Sequence, residues 1–308
     1  SDLGTGGFVE TSSKINLQAF GSVDATGGLL NGLWLLDPAN VEITTTATAN
    51  GSFAAGIFTP TDSDGTNTAT ILASTIATAL SDGTSVDIQT VDSEFPGVAG
   101  NITIVSGTTE LADITNTSAV TLRLIAAGGI TINDEITGKN SPVNIELRAL
   151  GAVQINNTIN TAGGNFTVAG SNTAGDRDVA FGDNAGSFTT ASAVAVFTDG
   201  GDDDITSGDI SISTAVINGS SGHITLGGRL STGGGVSTQP NGLAGGDITL
   251  TVDTTAGDIT AHQLFAKGSD GTTGTGGVGG AITLSTGSGT ITLTEGVNNR
   301  SGQNNDNV

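Results

Sequence analysis

Along most of the chain the apolar residues arrive in short alternating bursts, each opened by glycine. The unit reads Gly, a small polar residue, an apolar residue, Thr or Ser, and a second apolar residue. It occurs as Gly100-Asn101-Ile102-Thr103-Ile104, Gly208-Asp209-Ile210-Ser211-Ile212, Gly222-His223-Ile224-Thr225-Leu226, Gly246-Asp247-Ile248-Thr249-Leu250 and Gly280-Ala281-Ile282-Thr283-Leu284. Shortened or looser copies are Gly129-Ile130-Thr131-Ile132, Gly151-Ala152-Val153-Gln154-Ile155, Gly164-Asn165-Phe166-Thr167-Val168 and Gly257-Asp258-Ile259-Thr260. A period of two places both apolar side chains on one face and the hydroxyl on the other, which is a strand. Two apolar residues make no core alone, but many such strands stacked in parallel bury one continuous core. Gly at each strand entry is expected to supply a tight corner with positive φ.

The copies follow at roughly 10–14 residues, with some intervals doubled to about 24. This predicts an all-β, single-stranded parallel β-helix with two or three short strands per coil of about 20–25 residues. A propeller needs blades of four longer strands, and a Greek-key sandwich needs longer alternation and two-residue hairpins. Tandem glycine- and aspartate-rich calcium-roll repeats are absent. At about 22 residues per coil, some 250 residues make roughly 11 coils and a rod about 50 Å long.

Two segments break the pattern. In Thr68–Leu80 the residues Ile71, Leu72, Ile76 and Leu80 fall near one helical face, with Gly83 as a stop and Asp62, Ser63 and Asn67 as available caps. A short helix over 68–80 is therefore expected inside an insertion spanning about 50–86. The last stretch, 298–308, has no apolar period and is expected to be a flexible tail after a β-helix over 1–297.

Composition narrows the classes. Among 308 residues there are 49 Gly, 30 Asp plus Glu, 8 Lys plus Arg, no Cys, no Met and no Tyr, for a net charge of −22. A chain without Cys has no disulfide scaffold and no thiolate metal site. Strong acidity argues against nucleic acid and anionic membrane surfaces as partners, and no run of 18 apolar residues predicts membrane insertion. The Ser1 start, without Met or a leader pattern, reads as a fragment or a processed product.

One block is more specific. Gly7-Phe8-Val9-Glu10-Thr11-Ser12 is followed by Val23-Asp24, Gly32-Leu33-Trp34-Leu35-Leu36-Asp37-Pro38 and Asn40-Val41-Glu42-Ile43. This block resembles filamentous-haemagglutinin-like adhesin exoproteins of the two-partner secretion route, with Ser13 where a Gly is usual. The resemblance covers about 40 residues closely and extends loosely to about residue 105. It implies a right-handed β-helix outside a Gram-negative cell, exported through an outer-membrane secretion partner and used for adhesion, aggregation or biofilm matrix. Read on its own residues, Trp34 is expected to fill a wide part of the core or the seam where the insertion docks, and Asp37-Pro38 to end its strand.

Candidate chemistry is sparse. His223 occupies a slot held by Asp209, Asp247, Asn101, Asn165 and Ala281 in other copies, and His262 has no close acidic neighbour, so both read as structural. Paired carboxylates suited to glycan cleavage are Asp134-Glu135, Asp176 and Asp178 around Arg177, and Asp202 to Asp204. Asp199, Asp202, Asp203, Asp204 and Asp209 in a Gly-rich loop form a calcium candidate, while Asp62-Ser63-Asp64-Gly65 matches only part of a calcium loop. No other cofactor is implied. Thr rows facing outward could bind ice if they were long and regular, which the varying repeat length disfavours. The favoured reading is a non-enzymatic structural and adhesive stalk. Its partners would be neighbouring copies or cell-surface and matrix components. The alternatives are a filament subunit assembled end to end and a β-helix polysaccharide lyase or glycosidase.

Overall fold

The structure, a computed structural model, describes residues 6–12, 18–19, 23–27, 32–37, 40–45, 51–54, 57–60, 68–90, 100–169, 185–200, 204–215, 221–235, 237–253 and 257–303. It is a parallel β-helix. Sheets of nine and ten strands run the length of the described stack, a third of six strands joins them from Ile136 on, and every pairing within the three is parallel. All nine glycine-opened phrases form strands, four in the first sheet (for example Ile210–Thr214, Ile248–Val252, Ile282–Thr286) and five in the second (for example Ile102–Ile104, Ile130–Ile132, Ile224–Leu226). The third sheet, from Ile136–Thr137 to Val297–Asn298, contributes one inward apolar residue per coil.

Register makes each inward position a column. On the first sheet one column runs Val9, Trp34, Val86, Leu122, Ile145, Phe166, Ile210, Ile248, Ile282. On the third it runs Ile136, Ile159, Val196, Leu230, Leu264, Val297. Phe166 of the first sheet meets Phe188 of the second edge to face, their centroids 6.1 Å apart. These columns merge into one core from Trp34 to Ala266. Each buried Ile, Leu or Val contributes about 1.5–3 kcal/mol over an exposed one. Trp34 is buried, with its Nε1–H donating to Thr11 Oγ1 at 3.1 Å, as its apolar setting predicts.

The expected positive φ accounts for only some of the strand-entry glycines. Gly100 and Gly222 do take positive φ, but Gly164, Gly208, Gly246 and Gly280 do not. These four stack on one another. A Cβ on Gly208, Gly246 or Gly280 would lie 2.2, 2.1 or 1.9 Å from the carbonyl oxygen of the column member below. Close backbone approach between coils, not backbone handedness, excludes a side chain there.

Coil length differs too. Along the first sheet the step is 23 residues from Leu122 to Ile145 and 21 from Ile145 to Phe166, but 44 from Phe166 to Ile210, 38 to Ile248 and 34 to Ile282. The nine first-sheet strands therefore span about 38 Å at ~4.8 Å per step, a shorter rod than equal coils would give. The surplus residues lie between strands, at the corners.

The helix is shorter than 68–80. Thr68–Leu72 is a strand of the second sheet, and the helix is Ala73–Ser81. Alternating β-branched residues let Ala69 and Ile71 pair with Val41 and Ile43, and that ladder outweighs the local helical period. The strand lies between Gln18–Ala19 and Asn40–Thr44, so the chain steps back one rung after the antiparallel hairpin Gly51–Ala54/Ile57–Pro60. The helix then takes the third-face position, packed beneath the short turn Thr109–Ala112. Leu72 is its N-cap without a side-chain bond, and the expected caps Asp62, Ser63 and Asn67 lie outside the described residues. Gly83, at φ 87°, ends it as expected: Thr84 N–H donates to Ala79 O and Gly83 N–H to Leu80 O. Ser85–Gln89 is already a first-sheet rung. At the other end Asn298, Arg300 and Gln303 accept backbone bonds from Ala266, Gly268 and Gly271, so the stack continues past the expected tail boundary.

Gly246→Ala is expected to cost about 1–3 kcal/mol, because its methyl meets rigid backbone. Gly296→Ala, with nothing within 4 Å of the added carbon, should change stability by less than ~0.5 kcal/mol. Chemical denaturation of the two variants beside the parent checks the contrast.

Candidate functional site

The polar residue at the strand entry, in most coils the one after the entry glycine, is the most often repeated functional group. Its side chain accepts a hydrogen bond from the backbone N–H of the corresponding residue one coil on. On the first sheet Asn144 Oδ1 accepts from Asn165, Asn165 from Asp209, Asp209 from Asp247 and Asp247 from Ala281, at 2.7–2.9 Å. On the second, Asn40 accepts from Asn101 and Asn101 from Gly129. There His223 Nδ1 accepts from Asp258 at 2.8 Å, and Asp258 accepts from Thr290 at 2.6 Å. His223 thus does the work of an Asn or Asp, with Nδ1 unprotonated, as a slot shared with those residues implies.

A second device closes the corner between the third and first sheets. Buried Thr161, Thr198 and Thr232 donate through Oγ1 to the carbonyls of Gly164, Gly208 and Gly246, at 2.5, 2.6 and 2.5 Å. The same glycines donate their N–H back to the carbonyls of the same threonines. The clasp brackets two residues in the first case, nine in the second and thirteen in the third. A loop of any of these lengths leaves the core cross-section unchanged. The longer loops also bond to each other: Gly242 N–H donates to Thr275 O, Ser269 N–H to Leu243 O and Gly302 N–H to Gly277 O, forming a ledge beside the coil.

The calcium candidate sits at the start of this ledge, and the described members have separate tasks. Asp199 accepts from Ser231 Oγ at 2.8 Å and Gly233 N–H at 2.6 Å. Burial pushes its carboxyl up, beyond what those bonds and the Arg229 guanidinium at 3.8 Å pull down. Arg229 is itself layered between the rings of Phe197 and Phe265, at 5.3 and 4.6 Å. Asp204, at φ 56°, accepts from the N–H and hydroxyl of Thr238 and from Gln239 and Ser237. The bonds from Thr238 come first among those that hold its carboxyl at about 2. Asp209 belongs to the strand-entry ladder. Asp202 and Asp203 lie outside the described residues, as do Asp62, Asp64, Asp176 and Asp178. Among the described residues no three His, Asp or Glu side chains converge as metal ligands.

Other acidic candidates are similarly occupied. Asp134 accepts from the N–H groups of Gly107, Thr108 and Glu135, and Glu135 accepts from Thr137 Oγ1 at 2.5 Å. On the outer face of the first sheet Arg123 bridges Asp87 at 3.1 Å and Glu146 at 2.7 Å, and Arg148 also bonds Glu146. Burial pushes the Glu146 carboxyl up, but the bonds from Arg123 and Arg148 outweigh it and leave it low. The ladder, the clasp and this network were not singled out as sites by the sequence. The clasp did leave a signal, apolar-x-Thr-x-Gly, at Ile159 to Gly163, Val196 to Gly200 and Leu230 to Gly234.

No protein-family model matches the chain, and no curated protein is significantly similar to it. Among the described residues no helix is long and apolar enough to cross a membrane.

Two outcomes are expected. Thr232→Val removes the clasp donor and leaves the buried Gly246 carbonyl short of a partner, at a cost of about 1–3 kcal/mol; protease cleavage within 233–245 should accelerate with it. Asp204 has a folded pKa below its unfolded value of about 3.9, so its contribution is complete above ~4 and lost as pH falls through about 2. Amide exchange at Thr238 should therefore rise over that window in the parent. In Asp204→Asn the rise should be absent.

Proposed function

We propose that the chain is a length of extracellular β-helical stalk, acting at the surface of a Gram-negative bacterium in adhesion, aggregation or matrix building. The observation that carries this reading is the single unbroken core, with coil-to-coil bonds engaging the polar groups described at its corners. Such a body resists bending because each rung is tied to the next by two ladders of backbone bonds, and from Ile136 on by three. Its role is mechanical rather than catalytic. The corner ledge at 233–245 and 267–279 offers hydroxyls, amides and backbone edges to cell-surface or matrix components, and its loops can vary without disturbing the core. The block from Gly7 to Ile43, similar to haemagglutinin-like exoproteins, supports the location outside the cell and export through an outer-membrane partner. The net charge of −22 keeps neighbouring stalks apart and soluble.

Display of the chain on a non-adherent Gram-negative cell tests the proposal. Displaying cells are expected to aggregate or to bind extracellular matrix above cells that display an unrelated β-helix of similar charge. Replacing 233–245 by a two-residue Gly-Asn link should remove the gain while circular dichroism still reports β-structure. Equal adhesion by the two displayed proteins would overturn the reading.

A further inference from the structure

Among the described strand-entry acceptors, His223 differs in kind. Asn101, Asn165, Asp209 and Asp247 accept through amide or carboxylate oxygens. Those oxygens stay acceptors between about pH 8 and 5, because a carboxyl group ordinarily ionises near pH ~4. An imidazole nitrogen does not, since this is the window in which the ring takes up a proton. His223 Nδ1 accepts from the Asp258 N–H at 2.8 Å, and Asp258 Oδ2 lies 3.8 Å from the same nitrogen. The other carboxylate oxygen, Oδ1, is engaged one coil on by the Thr290 N–H at 2.6 Å. The lone pair that holds the Asp258 backbone therefore faces the Asp258 side chain as well.

The joint around this bond is narrow. Ile224 and Thr225 pair with Ile259 and Thr260, and the register ends there. At the joints on either side it runs on to Thr190–Leu226 and to Ala261–Leu293. Few other charges bear on the ring. The strand below, Ser187–Thr190, and the first-sheet strands Ile210–Thr214 and Ile248–Val252 contain no ionisable residue, and neither do the corner stretches 216–220 and 254–256. Besides Asp258, the ionisable groups next to these elements are Asp253, whose N–H donates to Thr214 O, and His262, beyond the far end of Ile259–Ala261.

We propose that this joint is an acid-responsive switch, in which a proton on His223 Nδ1 exchanges its bond with the Asp258 backbone for one with the Asp258 carboxylate and loosens the coil-to-coil contact. An imidazolium has two N–H donors and no lone pair, so the bond from the Asp258 N–H is lost. The new N–H faces Oδ2, and a charge-assisted bond to it is stronger than the neutral bond it replaces. Closing that distance draws the carboxylate towards His223 and away from Thr290. The change thus passes along the column from His223 to Asp258 to Thr290. It concerns the joint itself and does not depend on the adhesive role.

Amide hydrogen exchange of the purified chain between pH 8 and 5, corrected for the intrinsic pH dependence of exchange, tests it. Protection at the Asp258 amide is expected to fall about tenfold across the window, as loss of one hydrogen bond allows. Thr290 should follow it. The amides of Asp247 and Ala281, bonded to the carboxylates of Asp209 and Asp247, should hold their protection. His223→Asn keeps an acceptor of the kind that serves at Asn101 and Asn165, and should abolish both falls. Asp258→Asn keeps an acceptor for Thr290 without the charge; the fall at position 258 should persist and that at Thr290 should vanish. Constant protection at Asp258 in the parent overturns the proposal. So does an equal fall in His223→Asn, or a parallel fall at Asp247 and Ala281, which would mean general loosening. A fall at Thr290 that survives in Asp258→Asn overturns the exchange of partners.

Discussion

Every coil of this molecule lies about 4.8 Å above the last, and that rise allows no adjustment. A residue therefore has the same residue class above and below it, and each position in the cross-section becomes a slot with one physical requirement. Inward slots must be apolar, because a polar group there would lose water without gaining a partner. The slot of Gly208, Gly246 and Gly280 admits no Cβ because the neighbouring carbonyl already occupies that volume. The slot after it asks for an acceptor, which Asn, Asp and a neutral His ring all supply. Repetition in the sequence follows from repetition of contacts.

The same rigidity explains why the exterior varies. Core strands must keep register, yet coil length doubles between Ile145 and Ile210. The Thr–Gly clasp separates the two demands, since it fixes both ends of a corner loop while its interior is left out of the cross-section. Where Ala266 stands in the threonine's place, the Gly280 N–H still donates to the Ala266 carbonyl at 2.7 Å. Backbone alone holds that corner, and the stacked loops 267–279 and 299–303 support it from outside. The varying repeat length counted in the sequence against regular outer rows of Thr. In the structure that variation falls at the corners, and Thr225 still pairs with Thr260 and Thr260 with Thr292.

This division also sets what could be read from the chain. The nine glycine-opened phrases announced two sheets, because two apolar residues at a spacing of two with a glycine before them is a dense signal. The third sheet was faint, since a strand such as Ile159–Asn160 or Val196–Phe197 has one inward residue and no period to detect. Thr68–Leu72 departs from the helical expectation for a related reason. Its apolar residues satisfy a helical spacing locally, and only pairing with Asn40–Thr44, far away in sequence, decides for strand. The aspartates of 199–209 looked like one site because they are close in sequence. In space Asp199 turns to the third sheet, Asp204 to the ledge and Asp209 to the next strand entry.

The strand-entry ladder finally gives meaning to the acidity. Asn144, Asn165 and Asn101 show that an amide makes the required bond as well as a carboxylate does. Asp209 and Asp247, stacked in adjacent coils, therefore add charge without adding a bond. Two unit charges about 4.8 Å apart in water cost ~0.9 kcal/mol before screening, a penalty that the N–H donated to each one offsets. The repulsion is directed outward from the sides of the rod. One coil on from Asp247 and Asp258 the slots hold Ala281 and Thr290, which keep the bonded N–H and carry no charge. Charge carried outward on the flanks discourages sideways clumping of neighbouring rods.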